Sequence, residues 1–269
     1  MIVFLCILGL AALYCYLFNF IGLSLWFNFL WVFISIILAF LTFVLFVAIL
    51  FVFWKKTDPK KKFRHMLLHQ VCHMILFCIN VKVKVIGKEN IPNVPFVCYA
   101  NHKSDIDPVA LYYGLHRVCS AVGKKDLFKY PVIKQCKPVF GVIAIDREND
   151  RAAAKEIIKG IRAIQDGMSY IVFPEGGIKS RDTEEMVNLR AGAYKLVTKS
   201  EALLLPAAIL GSSKTKKRKT LFSRVKITLI FHKPMTPMEY GNMNTTEIGE
   251  HVMEMINKDV LEYENKSSN

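Results

Sequence analysis

The first part of the chain carries one unbroken hydrophobic pattern. Met1 to Trp54 contains no Asp, Glu, Lys, Arg or His. A single helix over it would be about 80 Å long, and a bilayer core is only about 30 Å thick. Two passes fit better, roughly Ile2 to Asn19 and Trp26 to Trp54, with Asn19-Phe20-Ile21-Gly22-Leu23-Ser24 as the turn. Trp26, Trp31 and Trp54 suit anchoring at the membrane interfaces. Phe63 to Asn80 (FRHMLLHQVCHMILFCIN) is the next segment. Its apolar residues Met66, Leu67, Val71, Met74, Ile75 and Cys78 recur at helical spacing, and His65, His69 and His73 recur every fourth residue on another face. The pattern fits core packing or a helix lying in the membrane interface. The adjacent spans favour the interface.

From Val81 the period changes. Short apolar runs alternate with helical segments. Strands are expected at Val81–Ile86, Phe96–Ala100, Cys119–Val122, Val142–Ile145, Tyr170–Phe173, Leu203–Ile209 and Val225–Phe231. Helices are expected at Pro108–Leu115, Tyr130–Cys136, Arg151–Gln165, Leu189–Lys199 and Thr246–Glu262. This alternation predicts an α/β fold, a mostly parallel sheet flanked by helices on both faces. Ser212–Lys219 (SSKTKKRK) reads as a loop and Glu262–Asn269 as a frayed tail. Three parts result: a transmembrane hairpin over 1–54, a basic linker with an amphipathic interfacial helix over 55–80, and an α/β domain over 81–269.

Charge sharpens this division. All of the net charge of +14 belongs to the chain from Lys55 onward. A cleaved signal peptide fits poorly, because no positive region precedes the apolar run and no polar region follows soon after. Lys55, Lys56, Lys60, Lys61, Lys62 and Arg64 follow the second pass directly, so the domain is expected on the cytoplasmic side of the cell membrane. The seven cysteines show no CxxC spacing and read as reduced packing residues. Neither they nor the histidine ladder suggests a metal site. Positive charge alone also fits a membrane-tethered module that binds nucleic acid or another polyanion; the paired chemistry below argues against that.

The sharpest local feature is NHKSDIDP, Asn101 to Pro108, between a buried strand and a helix. Ligand sites of parallel sheets lie at the carboxyl ends of strands. His102 is there a candidate general base, and Asp107 can turn back to orient it. Asp107 before Pro108 also fits a helix cap, and Asp105 competes as the histidine's partner. There is no GxSxG and no obvious nucleophile, which suits direct attack by a substrate hydroxyl on an activated acyl group. Further blocks suit an anion: Gly123–Asp126 with Lys124 and Lys125, Gly141–Arg147 ending in Arg147, and Phe173–Gly177 with Lys179 and Arg181 beyond it. Gly176 and Gly177 permit close approach of backbone N–H groups. Glu175 is a candidate organiser of that pocket.

These blocks carry a resemblance. NHKSDID, GVIAIDR, FPEGG and LLPAAI (Leu204–Ile209) stand in the order and at the intervals of the four motifs of the glycerolipid acyltransferase family, which includes the 1-acyl-sn-glycerol-3-phosphate acyltransferases. The resemblance spans roughly Val81 to Phe231. It implies His102 and Asp107 as the catalytic pair, and Arg147, Lys124 or Lys125, Glu175, Gly176, Gly177, Lys179 and Arg181 around the acceptor's phosphate. It implies a lysophospholipid acceptor, acyl-CoA or acyl-carrier protein as donor, a membrane setting, no metal or redox cofactor and no nucleic acid. The product implied is phosphatidic acid. One departure bears on the phosphate site. The third motif usually continues with Thr-Arg-Ser, and here Gly177, Ile178 and Lys179 stand there, with Ile178 at the usual Arg position. Lys179, Arg181 or Arg190 is a candidate replacement, and glycerol-3-phosphate or another lysophospholipid stays open as acceptor.

Overall fold

The computed structural model describes residues 2–20, 28–178, 180–220 and 223–268. The expected turn at residues 19–24 and Trp26 lie largely or wholly outside them, as does Lys179. In chain order the elements are α1 (Ile2–Phe20), α2 (Asn28–Trp54), α3 (Lys62–Cys78), β1 (Val81–Ile86), β2 (Phe96–Ala100), α4 (Asp107–Leu115), β3 (Cys119–Lys124), α5 (Pro131–Phe140), β4 (Ile143–Ile145), α6 (Asp150–Gln165), β5 (Ser169–Val172), α7 (Lys195–Ser200), β6 (Leu203–Leu210), α8 (Lys214–Lys217), β7 (Val225–Phe231), α9 (Pro237–Tyr240) and α10 (Thr245–Ser268).

The seven strands form one sheet in the order β1-β7-β6-β2-β5-β3-β4. Neighbours are parallel except β6 and β7, which are antiparallel. The sheet is therefore mostly parallel, as expected, but β1 and β7 run against the other five. Side chains alternate across each strand. Phe96, Cys98 and Ala100 of β2 join Cys72 and Leu76 of α3 and Leu111 and Leu115 of α4 in one core layer. Val97 and Tyr99 of β2 join Ile164 of α6, Leu196 of α7 and Val252 and Ile256 of α10 in the other. Both faces are covered, which is why the central strands read as continuous apolar runs.

Helices α1 and α2 run antiparallel, with Tyr14 Oη 2.9 Å from Thr42 Oγ1 and the rings of Phe18 and Trp31 4.9 Å apart. Leu30–Trp54 is long and apolar enough to cross a membrane, and Leu5–Phe18 is a shorter apolar helix. Both turn large side chains outward, among them Leu13, Phe33, Phe40, Leu45 and Val52. Such a surface associates with a membrane. Arg64 ties the hairpin to the domain. Its guanidinium is buried, donates to Val139 O at 2.5 Å and to Thr57 Oγ1, and lies 5.3 Å over the Trp54 ring. Burial holds it below the usual arginine range.

Two local expectations change. Helix α3 packs one face on α4 and β1, with Cys72 and Leu76 in the core, and leaves Phe63, Met66 and Phe77 exposed elsewhere on its surface. Its histidines also face protein: His65 Nδ1 is 2.7 Å from Tyr112 Oη, His69 Nε2 donates to Tyr113 O at 3.1 Å, and His73 stacks on Tyr113. Periodicity defines a face but not what covers it. The stretch expected as a loop over 212–219 forms a short helix, α8, because buried Ser212 and Ser213 anchor its start. The last helix continues to Ser268, past the expected frayed end.

Candidate active site

Five strands, β6, β2, β5, β3 and β4, point the same way, so the turns after them share one edge of the sheet. The turn after β2 carries Asn101 to Ile106. Asn101 is buried and locks the turn to β6, donating to Ile209 O at 2.8 Å and accepting from Ile209 N–H at 2.7 Å. His102 follows, with 16% of its side chain exposed. Its Nδ1 lies 3.0 Å from Asp107 Oδ2. The same oxygen accepts the backbone N–H groups of Lys103 and Ser104, both at 2.7 Å. The Asp107 side chain therefore turns back over the loop and does not cap α4, whose capping position is Ile106. Burial without solvent and three donors fix its orientation. A carboxylate at Nδ1 selects the tautomer with the proton on Nδ1 and leaves the Nε2 lone pair outward as a base.

The turn after β5 frames the imidazole from that side. Phe173 stacks on it, with centroids 4.3 Å apart. Glu175 Oε1 accepts the His102 backbone N–H at 2.8 Å, and Oε2 accepts Lys103 Nζ at 2.8 Å. Lys103 and Glu175 are both fully buried, a pair whose loss on one side would leave an isolated charge. Glu175, expected as an organiser among the substrate-binding residues, faces inward and holds the turns after β2 and β5 together through Lys103 and the His102 N–H.

Beyond Glu175 the chain passes through Gly176 (φ +72°) and Gly177 (φ +131°). A Cβ at Gly176 would sit 2.3 Å from Arg190 Nε, and one at Gly177 3.2 Å from Arg147 Nη1. Glycine thus lets two guanidinium groups close onto one turn. Arg190 is brought there by its own N–H, which donates to Pro174 O at 3.0 Å. Among the described residues neither arginine forms an ion pair. Partial burial and then the Arg190 charge hold Arg147 below the usual arginine range. Two unneutralised cations facing one glycine turn make a seat for an anion.

The acyltransferase family model matches residues 82–210. A probable 1-acyl-sn-glycerol-3-phosphate acyltransferase of Mycoplasma pneumoniae is 26% identical over 219 residues, covering 75% of this chain and 80% of that protein. A 1-acyl-sn-glycerol-3-phosphate acyltransferase of Bacillus subtilis is 29% identical over 194 residues, covering 71% of this chain and 93% of that protein. Over most of its length the chain is thus similar to 1-acyl-sn-glycerol-3-phosphate acyltransferases, and residues 82–210 match the acyltransferase domain. The crystal structure of the 1-acyl-sn-glycerophosphate acyltransferase from Thermotoga maritima shares the fold of this acyltransferase, with a TM-score of 0.66, 22% identity and 95% of each chain covered.

The remaining site candidates of this acyltransferase lie around that centre. Lys124 pairs with Asp126, and Lys125 with Asp146 at 2.8 Å, so both already carry a carboxylate partner. Arg181 sits on the rim, 3.4 Å from Asp105. Asp105 is two-thirds exposed and is also held by Lys216 at 3.0 Å, which keeps its carboxyl below the usual range. Its ion pairs are to these rim cations, while the imidazole pairs with Asp107, which resolves the competition in favour of Asp107 as the partner. Of the cations considered, Arg147 and Arg190 are the pair that converges. Phe173 and Lys103 were not singled out by sequence. The clue to Lys103 was a lysine inside a buried strand-end turn, which demands a carboxylate nearby.

Proposed function

We propose that the protein transfers a fatty acyl group from an acyl thioester to the sn-2 hydroxyl of 1-acyl-sn-glycerol-3-phosphate and forms phosphatidic acid. The observation that carries this reading is the His102–Asp107 pair, with Nε2 outward, beside the Arg147–Arg190 anion seat. The names of the relatives, 1-acyl-sn-glycerol-3-phosphate acyltransferases, agree with it. The phosphate of the acceptor lies between the two guanidinium groups at Gly176–Gly177 and holds the hydroxyl near His102. Nε2 takes the hydroxyl proton as the oxygen attacks the thioester carbonyl carbon. Asp107 stabilises the imidazolium that forms. The carbon–sulfur bond then breaks, and the departing thiolate receives the proton from Nε2. Atoms and charge balance with the thioester alone as co-substrate.

The donor is acyl-CoA or an acyl-carrier protein. The division into hairpin (1–54), linker and α3 (55–80) and catalytic domain (81–269) belongs to the same reading. So does a two-pass anchor in the cell membrane, with the domain and the N-terminus in the cytoplasm. The cationic run from Lys55 to Arg64 supports that orientation.

The test is acyl transfer by the purified protein in detergent. Lysophosphatidic acid and glycerol-3-phosphate are offered in parallel, each with acyl-CoA and with acyl-carrier protein. Phosphatidic acid from the unmutated protein, and none above background from His102→Ala, is the expected result. Acylation of glycerol-3-phosphate alone would replace the acceptor. Full activity of a folded His102→Ala protein would remove the mechanism.

A further inference from the structure

The catalytic edge has a second cationic flank that the reaction above does not use. No Asp or Glu occurs between Glu201 and Glu239, and that interval contains SSKTKKRK. Helix α8 lies within it, in the turn after β6. In the sheet order β6 is on one side of β2, and β5 with its glycine turn is on the other. The two basic groups therefore flank His102 from opposite sides.

The α8 segment is fixed in place. Ser213 donates from N and Oγ to buried Glu184 Oε1, at 3.0 and 2.6 Å. Thr215 Oγ1 lies 2.6 Å from Ser104 Oγ, two residues beyond His102. Lys216 reaches Asp105, and Arg218 donates to Ile79 O at 2.6 Å. These contacts use Lys216 and Arg218 to hold the helix. Lys214 leans over the Tyr263 ring at 5.3 Å and stays exposed. Lys217 and Lys219 are exposed, and among the described residues no ion pair engages them. Such an array costs repulsion unless an anion visits it.

A transferase has two substrates, and the two flanks differ in kind. The glycine turn with two half-enclosed or closely seated arginines suits one phosphate monoester, held bidentately. An exposed row of lysines suits several phosphates on a flexible ligand, held as point charges. We propose that Lys214, Lys217 and Lys219 around α8 bind the pyrophosphate and ribose phosphate of coenzyme A, so that the acyl donor enters across the β6 side of His102. This inference rests on the acyl-transfer reading and assigns the donor within it. Three exposed lysines within residues 214–219 suit the clustered phosphates of a nucleotide better than the broad face of an acidic protein.

The experiment compares the full-length protein with its Lys217→Gln/Lys219→Gln variant in uncharged detergent. Steady-state KM is measured for acyl-CoA, for the acyl-pantetheine thioester that lacks the phosphates, and for lysophosphatidic acid. Binding of free coenzyme A and of pantetheine is measured by calorimetry. The variant is expected to raise the KM for acyl-CoA about tenfold, equivalent to losing roughly one decade of affinity. It is also expected to flatten the salt dependence of that KM, while the KM values for acyl-pantetheine and lysophosphatidic acid stay within twofold. Weaker binding of coenzyme A but not of pantetheine would agree. Several results would overturn the assignment: an unchanged KM for acyl-CoA, an equal rise for acyl-pantetheine, a rise confined to lysophosphatidic acid, or turnover with acyl-carrier protein alone. If no donor turns over, yet coenzyme A binds and the variant weakens it, the reaction fails and the α8 site stands. If coenzyme A binds neither protein, the site fails as well.

Discussion

Among the described residues there are two His–Asp pairs, and their differences are instructive. His102 meets Asp107 at 3.0 Å through Nδ1, and His232 meets Asp259 at 2.7 Å through Nε2. By distance the second is the better hydrogen bond. Asp107 is fully buried and accepts two backbone N–H groups as well, whereas Asp259 is partly exposed on α10. Strand β7 runs antiparallel to β6, so His232, just beyond its end, lies away from the edge that carries His102. Its N–H donates to Pro206 O, and its ring ties the strand end to α10. A His–Asp contact alone is a strut. It becomes a base where the carboxylate is held rigidly, the other ring nitrogen faces outward, and an anion seat lies alongside.

The contrast can be broken first at Asp107. Asn there can keep its oxygen at the Oδ2 position, accepting from His102 Nδ1 and from the Lys103 and Ser104 N–H groups. Its neutral amide no longer stabilises the imidazolium, and its NH2 falls where the buried Oδ1 has no partner. Asp107→Asn should lower kcat by about 10²–10⁴-fold with the fold kept, read by turnover and circular dichroism. Asp105→Asn, on the same loop, should retain activity within about threefold, because its partners are Lys216 and Arg181 on the rim. Equal loss from both changes would dissolve the distinction.

A smaller effect is expected at the anion seat. Arg190→Gln should raise the KM for lysophosphatidic acid by about ten- to a hundredfold, in keeping with about 1.5–3 kcal/mol for a hydrogen bond to a charged group. The kcat should change less. If the acceptor KM is unmoved, Arg190 is a bystander and the missing third-motif arginine has no replacement there.

The smallest effect should come from the second pair. His232→Ala should leave kcat and both KM values within about twofold and cost about 1 kcal/mol of stability, the net worth of one hydrogen bond. Thermal unfolding and turnover of the same preparation would check this. A large loss of turnover in a folded protein would show that the two pairs are not the different things their surroundings suggest.

Much of the architecture was legible in the residues. The uncharged stretch to Trp54 marks the hairpin because so long a run without charge has no place in a soluble core. The strands β1, β2 and β7 match the expected bounds, since β-branched and aromatic residues between turn signals leave little choice. The catalytic turn was legible because its members are close in sequence: His102, Asp107 and the strand end fall within one octapeptide. Less local features were not. The reversal of β1 and β7 depends on which edge each strand joins, and an apolar run reads the same in both directions. The start of the seventh helix was expected at Leu189, but residues 191–194 form a 3-10 turn that places Arg190 beside Gly176.

By itself, then, the sequence determined the elements, the apolar N-terminal hairpin and the pairing of His102 with Asp107, because each depends on residues within a turn or two of one another. The tertiary structure decided the rest. It covered the histidine face of α3 with α4 and drew Lys124 and Lys125 to nearby carboxylates. It turned Glu175 inward onto Lys103, and it seated Arg147 and Arg190 from separate loops at one pair of glycines. A charge's role depends on which charges reach it across the fold, and that is settled only when distant segments pack.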